Sequence, residues 1–216
     1  GEPLARHTAL RIGGPADLVV RATSRQALQK AVTLGWARGV PCRVLGSGSN
    51  VLISDRGVRG VVVLNEARAV AFAPRRVKAE SGVSLSTLAR RCIARGQGGL
   101  EWAIGIPGTV GGAVVGNAGA WGSDVASTLS QASLLEPPDS VVTWPVECFG
   151  YGYRTSALKV KGNPDRGIVL EAEFGVREME RPALEARAAE ITAQRKASQP
   201  QGASCGSVFR NPPGDF

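Results

Sequence analysis

Two glycine-bearing segments, far apart in the chain, carry the residue types needed to grip a diphosphate. The first is Gly46-Ser47-Gly48-Ser49-Asn50, entered from Val44-Leu45 and left through Val51-Leu52. Glycine admits positive φ, so successive N–H groups can converge on an anion, and Ser and Asn add donors without bulk. A tight surface turn has the same composition, so this loop alone decides nothing. The second is Ile104-Gly105-Ile106-Pro107-Gly108-Thr109-Val110-Gly111-Gly112-Ala113, continuing to Asn117-Ala118-Gly119-Ala120. Pro107 is expected in the first turn of a helix whose N-terminal amides face phosphate oxygens. Gly111 and Gly112 would let a ring system or another backbone approach closely. Each helical glycine costs ~1 kcal/mol relative to alanine, so this density needs a packing or a ligand reason.

Two further segments could act on a substrate. In Phe149-Gly150-Tyr151-Gly152-Tyr153-Arg154-Thr155-Ser156, aromatic and small neighbours could hold the Arg154 guanidinium rigid, as a bidentate fork for a carboxylate. An exposed arginine on a surface strand is the plainer reading. In Ser204-Cys205-Gly206-Ser207-Val208-Phe209-Arg210-Asn211-Pro212, Ser207 could present a hydroxyl to a pocket, or merely cap a loop. No G-x-S-x-G elbow is present and His7 is the single histidine, which argues against a Ser-His-Asp hydrolase.

The elements that must position these segments follow from apolar spacing. Leu18 to Val20 reads as a strand, Ser24 as the N-cap of a helix carrying Ala27, Leu28, Ala31 and Val32, and Gly39 as its C-terminal glycine. Strands are expected at residues 42–45, 51–53 and 61–63, the last two after the first glycine loop. Because a strand follows that loop, it is not the G-x-G-x-x-G of a Rossmann fold. Further on come strands at 69–73 and 76–80. Next is a helix capped by Ser84, with Leu85, Leu88, Ala89, Cys92 and Ile93 on its apolar face. Strands near 129–135 and 168–176 and a helix over 181–196 complete the reading. The fold class is α+β.

Composition narrows the function classes. A formal charge of +8 fits an anionic partner but cannot choose among polyanions, nucleotides and nucleotide sugars. No basic patch interleaved with aromatics supports nucleic-acid binding. Four isolated cysteines and one histidine leave no metal set, and suit a reducing, cytoplasmic setting better than a disulfide scaffold. No apolar run is long enough to span a membrane.

Taken in order, and with the opening His7-Thr8-Ala9-Leu10-Arg11-Ile12-Gly13-Gly14-Pro15-Ala16-Asp17, the four segments resemble the UDP-N-acetylenolpyruvoylglucosamine reductase family of peptidoglycan synthesis. The resemblance runs from about His7 to Asn211. It implies an FAD-binding fold of the vanillyl-alcohol-oxidase and p-cresol-methylhydroxylase type. The implied parts are an FAD-binding subdomain over 1–63, a second over 64–177, and the start of a substrate domain over 178–216. Noncovalent FAD would be held by Gly46, Ser47, Gly48, Ser49 and Asn50, and by Gly105, Ile106, Pro107, Gly108, Thr109, Gly111 and Gly112. Asn117, Ala118 and Gly119 would lie beside the flavin, with Ile168 near the ring.

The implied reaction reduces UDP-N-acetylglucosamine enolpyruvate to UDP-N-acetylmuramate with NADPH. Arg154 matches the family arginine that polarises the substrate carboxylate, and Ser207 the serine that protonates C2; Tyr153 and Asn211 match substrate contacts. The family continues past the point where this chain stops, and its later glutamate has no counterpart here. Gly116, Ala157-Leu158 and Cys205 also depart from the family pattern. A noncatalytic FAD-binding module lacking the complete substrate domain is the alternative.

Overall fold

The computed structural model describes residues 1–159, 167–200, 202–209 and 211–212. The first 65 residues wrap a small sheet around one helix. Strand β1 (Glu2–Pro3) pairs antiparallel with β2 (Pro15–Ala22). Ser24 then caps helix α1 (Arg25–Ala37), its hydroxyl accepting from the Ala27 amide at 3.1 Å. The helix carries the chain over to β3 (Cys42–Leu45), and β4 (Val58–Asn65) returns parallel between β2 and β3. Helix α1 is thus the crossover between two parallel strands of one sheet, while the neighbours β3 and β4 are joined by residues 46–57, which include the first glycine loop. Strand β4, and with it the sheet, ends at Asn65.

Residues 51–53, expected as a strand, form no ladder. Val51 and Ile53 still pack against the cluster of Leu4, Ala16, Leu45, Val62 and Leu64, while Leu52 is exposed. Alternation reports which side chains face the core, not whether the backbone finds a partner strand. Here the following turn takes the bonds instead, with the Ser54 carbonyl accepting from the amides of Gly14 and Gly57 at 2.9 and 2.8 Å.

The second unit opens with the hairpin β5 (Val70–Ala73) and β6 (Arg76–Glu80), then α2 (Leu85–Ile93), capped by Ser84. Leu85, Leu88, Ala89, Cys92 and Ile93 are all buried, as the spacing requires. Burial pushes the Cys92 thiol up to about 12, the behaviour of a core filler. Short β7 (Gln97–Gly98), α3 (Val110–Gly116), the small hairpin β8 (Gly119–Ala120) and β9 (Ser123–Asp124), and α4 (Val125–Thr128) follow. Then come β10 (Leu129–Glu136), β11 (Ser140–Pro145), β12 (Ile168–Gly175), β13 (Arg177–Glu178) and α5 (Arg181–Ser198). An antiparallel sheet of order β11-β10-β12-β6-β5 backs this unit, and β13 pairs with β7.

Helix α1 joins the two units. Its Leu28 and Val32 pack with Val63 of the first sheet and with Leu135 and Leu170 of the second. Glu80, 9% exposed, fastens the same junction: one carboxylate oxygen accepts from the Arg25 amide at the start of α1 (3.0 Å) and the other from the Ala69 amide (2.8 Å). A carboxylate there also complements the positive end of the helix. Glu80→Ala should cost about 2–4 kcal/mol in urea unfolding, and Glu80→Gln less, because only the alanine leaves both amides without an acceptor. A loss under about 0.5 kcal/mol for the alanine variant would remove Glu80 from this role.

Candidate functional site

Helix α3 has seven residues, Val110–Gly116, three of them glycine. So short a helix is marginal in water, and its glycines weaken it further. Other elements must hold it. At its N-terminus Thr109 caps, with Oγ1 accepting from the Gly112 amide. The amides of Val110 and Gly111 donate to the carbonyls of Val83 and Ser81, each at 2.8 Å. This corrects the sequence expectation: Pro107 precedes the cap instead of starting the helix, and two first-turn amides belong to the turn between β6 and α2.

The glycines divide into two sets. Some are packed. A Cβ on Gly46 would stand 2.5 Å from Thr109 Oγ1, and one on Gly111 would stand 2.9 Å from the Ser81 Cβ. Gly48 is packed on the His7 backbone, and the Ala9 amide donates to its carbonyl at 3.0 Å. Others face open space. Nothing lies within 4 Å of a Cβ at Gly108 or Gly116, and at Gly112 only Thr109 Oγ1 does, at 3.7 Å. Gly112 and Gly116 share one helical face, so bare backbone is presented where any other residue would project a side chain. Residues 46–50 and 105–112 are thus in contact at Gly46 and Thr109. In the first of these loops Ser47 and Asn50 are exposed, and the Ser47 hydroxyl lies 2.7 Å from that of Ser49. Ile106 packs on the main core and sets the loop's height.

The C-terminal end of α3 is closed by side chains from the loop after β11. Helices leave their last carbonyls without intrahelical partners, and here those of Val114 and Val115 find side-chain donors. Tyr151 Oη donates to Val114 O at 2.9 Å, Ser156 Oγ to Val115 O at 2.6 Å, and Arg154 to Asn117 O (3.4 Å) and Gly119 O (2.7 Å). The ring of Tyr151 is stacked on Phe149, centroids 5.2 Å apart, which fixes its hydroxyl. Asn117 takes the left-handed conformation at φ 45° and is 3% exposed. Its amide nitrogen donates to Asp124 Oδ2 and Gly152 O, and its side-chain oxygen accepts from Ala126. The Asn117 side chain is therefore a joint, and what the segment offers a ligand is its backbone with half-buried Ala118 and Gly119. Arg154 lies at φ 56° with its guanidinium 5.2 Å from the Tyr153 ring centroid. Two of its five donors are spent on carbonyls, which pins the fork and leaves the rest for an anion.

Arg154, Tyr153 and residues 117–119 are thus brought to the end of the glycine face. Ser207 is not: residues 202–209 are without helix or strand, and Ser207 is exposed. Among the described residues no hydrogen bond or ion pair joins that stretch to Arg154. Val208 and Phe209 are 77% and 86% exposed, and Asn211 is exposed as well; Arg210 lies outside the described residues. Ile168 packs beside Leu28 and Leu170 in the cluster that joins the two sheets. The sequence reading passed over Tyr151 and Ser156, whose carbonyl partners are 37 and 41 residues away. No local signal marks them. Among the described residues no cluster of three or more His, Cys, Asp or Glu could hold a metal ion.

Comparison with known proteins agrees with this geometry. Residues 16–143 match the family described as "FAD binding domain". The chain is 40% identical over 219 residues to a UDP-N-acetylenolpyruvoylglucosamine reductase of Chloroflexus aggregans, covering 99% of this chain and 74% of that protein. It is 42% identical over 217 residues to the one from Rubrobacter xylanophilus, covering all of this chain and 72% of that protein. The crystal structure of UDP-N-acetylenolpyruvylglucosamine reductase from Thermus caldophilus superposes with a TM-score of 0.83 at 33% identity, over 100% of this chain and 75% of that one. Alkyldihydroxyacetonephosphate synthase shares the fold alone, at a TM-score of 0.56 and 16% identity over 74% of this chain and 31% of that one. The architecture is the α+β FAD-binding fold of the vanillyl-alcohol-oxidase type.

The Tyr151 joint yields a pH test. Burial, and secondarily the Asp124 carboxylate, push its phenol well above the ordinary value. A raised pKa favours the neutral form in the fold, so this contribution is whole below the unfolded phenol's pKa, near 10, and is lost above it. Unfolding free energy should fall as pH rises from about 9, where Cys92 begins to act, and more steeply beyond about 10. Tyr151→Phe should abolish the second component and cost about 1 kcal/mol at neutral pH, through the lost bond to Val114 O. An unchanged alkaline slope in urea melts of that variant would contradict the assignment.

Proposed function

The chain belongs to the UDP-N-acetylenolpyruvoylglucosamine reductase family, and from that premise we propose that it binds FAD noncovalently and reduces UDP-N-acetylglucosamine enolpyruvate with NADPH. The observation that carries this reading is the contact of Gly46 with Thr109 beside an open glycine face that leads to a pinned arginine. A diphosphate would sit at the junction of the two loops, using the amides and hydroxyls of residues 47–50. The ring system would run along Gly108, Gly112 and Gly116 toward residues 117–119. A side chain at any of those three glycines would fill that space.

When bound, a flavin would supply the hydride chemistry that links NADPH to C3 of the enolpyruvyl ether. The protein's own part is charge and proton placement. Arg154, immobilised by the carbonyls of Asn117 and Gly119, offers its remaining N–H groups to the substrate carboxylate. Its fixed charge stabilises the negative charge growing at C2 and the carboxylate, with no reorganisation during reaction. Ser207 donates its hydroxyl proton to C2. Serine is a weak acid, but the developing enolate is a strong base, so a positioned hydroxyl suffices. Tyr153 and Asn211 would contact the UDP-sugar.

The second reading, an FAD-binding module without turnover, is favoured by one observation: Ser207 stands exposed and unconnected to Arg154. The relatives extend beyond the matched stretch, which spans 74% and 72% of two of them. In the catalytic reading, residues 1–63 and 64–177 form the two cofactor subdomains and 178–216 begin the substrate domain. A reducing, cytoplasmic setting accompanies this reading, since the four cysteines are free.

Half-reactions measured separately distinguish the readings. The purified protein should show oxidised-flavin bands and be bleached by NADPH. Ser207→Ala should leave that bleaching unchanged and slow reoxidation by the enolpyruvyl substrate by about 10²-fold or more, the share a positioned acid supplies. Arg154→Ala should impair the same step more than it weakens flavin retention, and loss of FAD instead would point to a structural role. A protein that bleaches but is never reoxidised by the substrate supports the noncatalytic module, and a colourless protein that cannot take up FAD rejects both.

A further inference from the structure

Neither residues 46–50 nor residues 105–112 contain a lysine or arginine. On the reading above, these loops would meet a doubly charged diphosphate with dipoles alone. One cation from another element lies against the second loop. Arg195, in the last full turn of α5, crosses Gly105: a Cβ there would stand 2.8 Å from both Cδ and Nε of Arg195 and 3.9 Å from its Cζ. Gly105 itself is at φ 73°, and its amide donates to Ser86 Oγ at 2.8 Å, which ties the loop to α2. Glycine at 105 therefore serves two ends: a left-handed turn, and a passage through which an arginine arm reaches over the loop. Four residues further on, Thr109 touches Gly46.

The electrostatic setting of Arg195 differs from that of its neighbours. Arg181 and Arg187, on the same helix, are paired with Glu185 and Glu190. Among the described residues Arg195 forms no ion pair and no side-chain hydrogen bond. It is half-buried, and burial, with no carboxylate to offset it, draws its pKa down. A partly desolvated cation without a counter-charge is costly, and an anion entering beside it relieves that cost.

We propose that Arg195 supplies the positive charge for the diphosphate of the bound flavin dinucleotide, reaching across Gly105 from the end of α5. This rests on the flavin reading. It assigns the end of α5, a segment outside the matched FAD-binding region of residues 16–143, to cofactor retention.

Titration of flavin-free protein with FAD, followed by flavin fluorescence, tests it. Arg195→Met keeps an unbranched stem over Gly105 and removes the charge. FAD affinity should fall by about 10- to 100-fold, the range for losing a charge-assisted hydrogen bond, and become less sensitive to salt than in the unsubstituted protein. Riboflavin, which has no phosphate, should bind both proteins within about twofold of each other, and Arg195→Lys should recover part of the loss. Thermal unfolding of the flavin-free variants should be unchanged, which separates charge from packing. Equal FAD affinity in Arg195→Met overturns the proposal, as does a matching fall for riboflavin. Weakened binding of UDP-N-acetylglucosamine to the flavin-loaded variant, with FAD affinity intact, would overturn it in favour of the substrate diphosphate. If the unsubstituted protein takes up no FAD, the cofactor reading fails first and this inference falls with it.

Discussion

Seven residues of helix α3 cannot hold themselves together, and the organisation of the site follows from how they are held. Three glycines in two turns keep one helical face bare, at the expense of helix propensity. The deficit is met from outside. Carbonyls of Ser81 and Val83 take the first amides, while Tyr151, Ser156 and Arg154 satisfy the last carbonyls and the turn beyond them. The restraints come from segments on both sides of α3 in the chain, so its position is a property of the whole second unit. Residues tying down the helix end also place Arg154, so anchoring the backbone and aiming the guanidinium are one act.

The same economy appears at the junction of the two units. Gly46 of the first touches Thr109 of the second, and Glu80 of the second caps the first turn of α1. With Leu28 and Val32 packed on both sheets, α1 works as a shared wedge. A ligand held between the loops thus meets two surfaces whose relative position is set by buried contacts. This is the rigidity that electrostatic preorganisation needs. Against it, the exposed stretch around Ser207, with Val208 and Phe209 turned to solvent, stands outside the set of mutual restraints.

Much of this was legible in the residue order. Ser24 and Ser84 announced their helices because an N-cap is a local bond to an amide three residues on. The buried face of α2 followed from 3.6-residue spacing alone. The glycine density of residues 105–119 signalled a close approach, and the ordered motifs signalled the family. Where local reading failed, the cause was a distant partner. Residues 51–53 alternate like a strand yet find no neighbouring ladder, and Pro107 resembles a helix start although Thr109 takes the cap.

Sequence by itself determined what each segment could offer: glycines that leave backbone bare, a serine-rich loop with donors, an arginine among aromatics. These are properties of residue type and short spacing, and they survive without a fold. Only the tertiary structure decided which glycines are packed and which are open, that Gly111 meets Ser81 while Gly112 meets almost nothing. It alone turned Asn117 inward as a joint and brought Arg195 across Gly105 from ninety residues away. The reason is physical: an unpaired carbonyl or a half-buried charge is satisfied by whatever donor or anion the folded chain brings near, and separation along the chain carries no information about that distance.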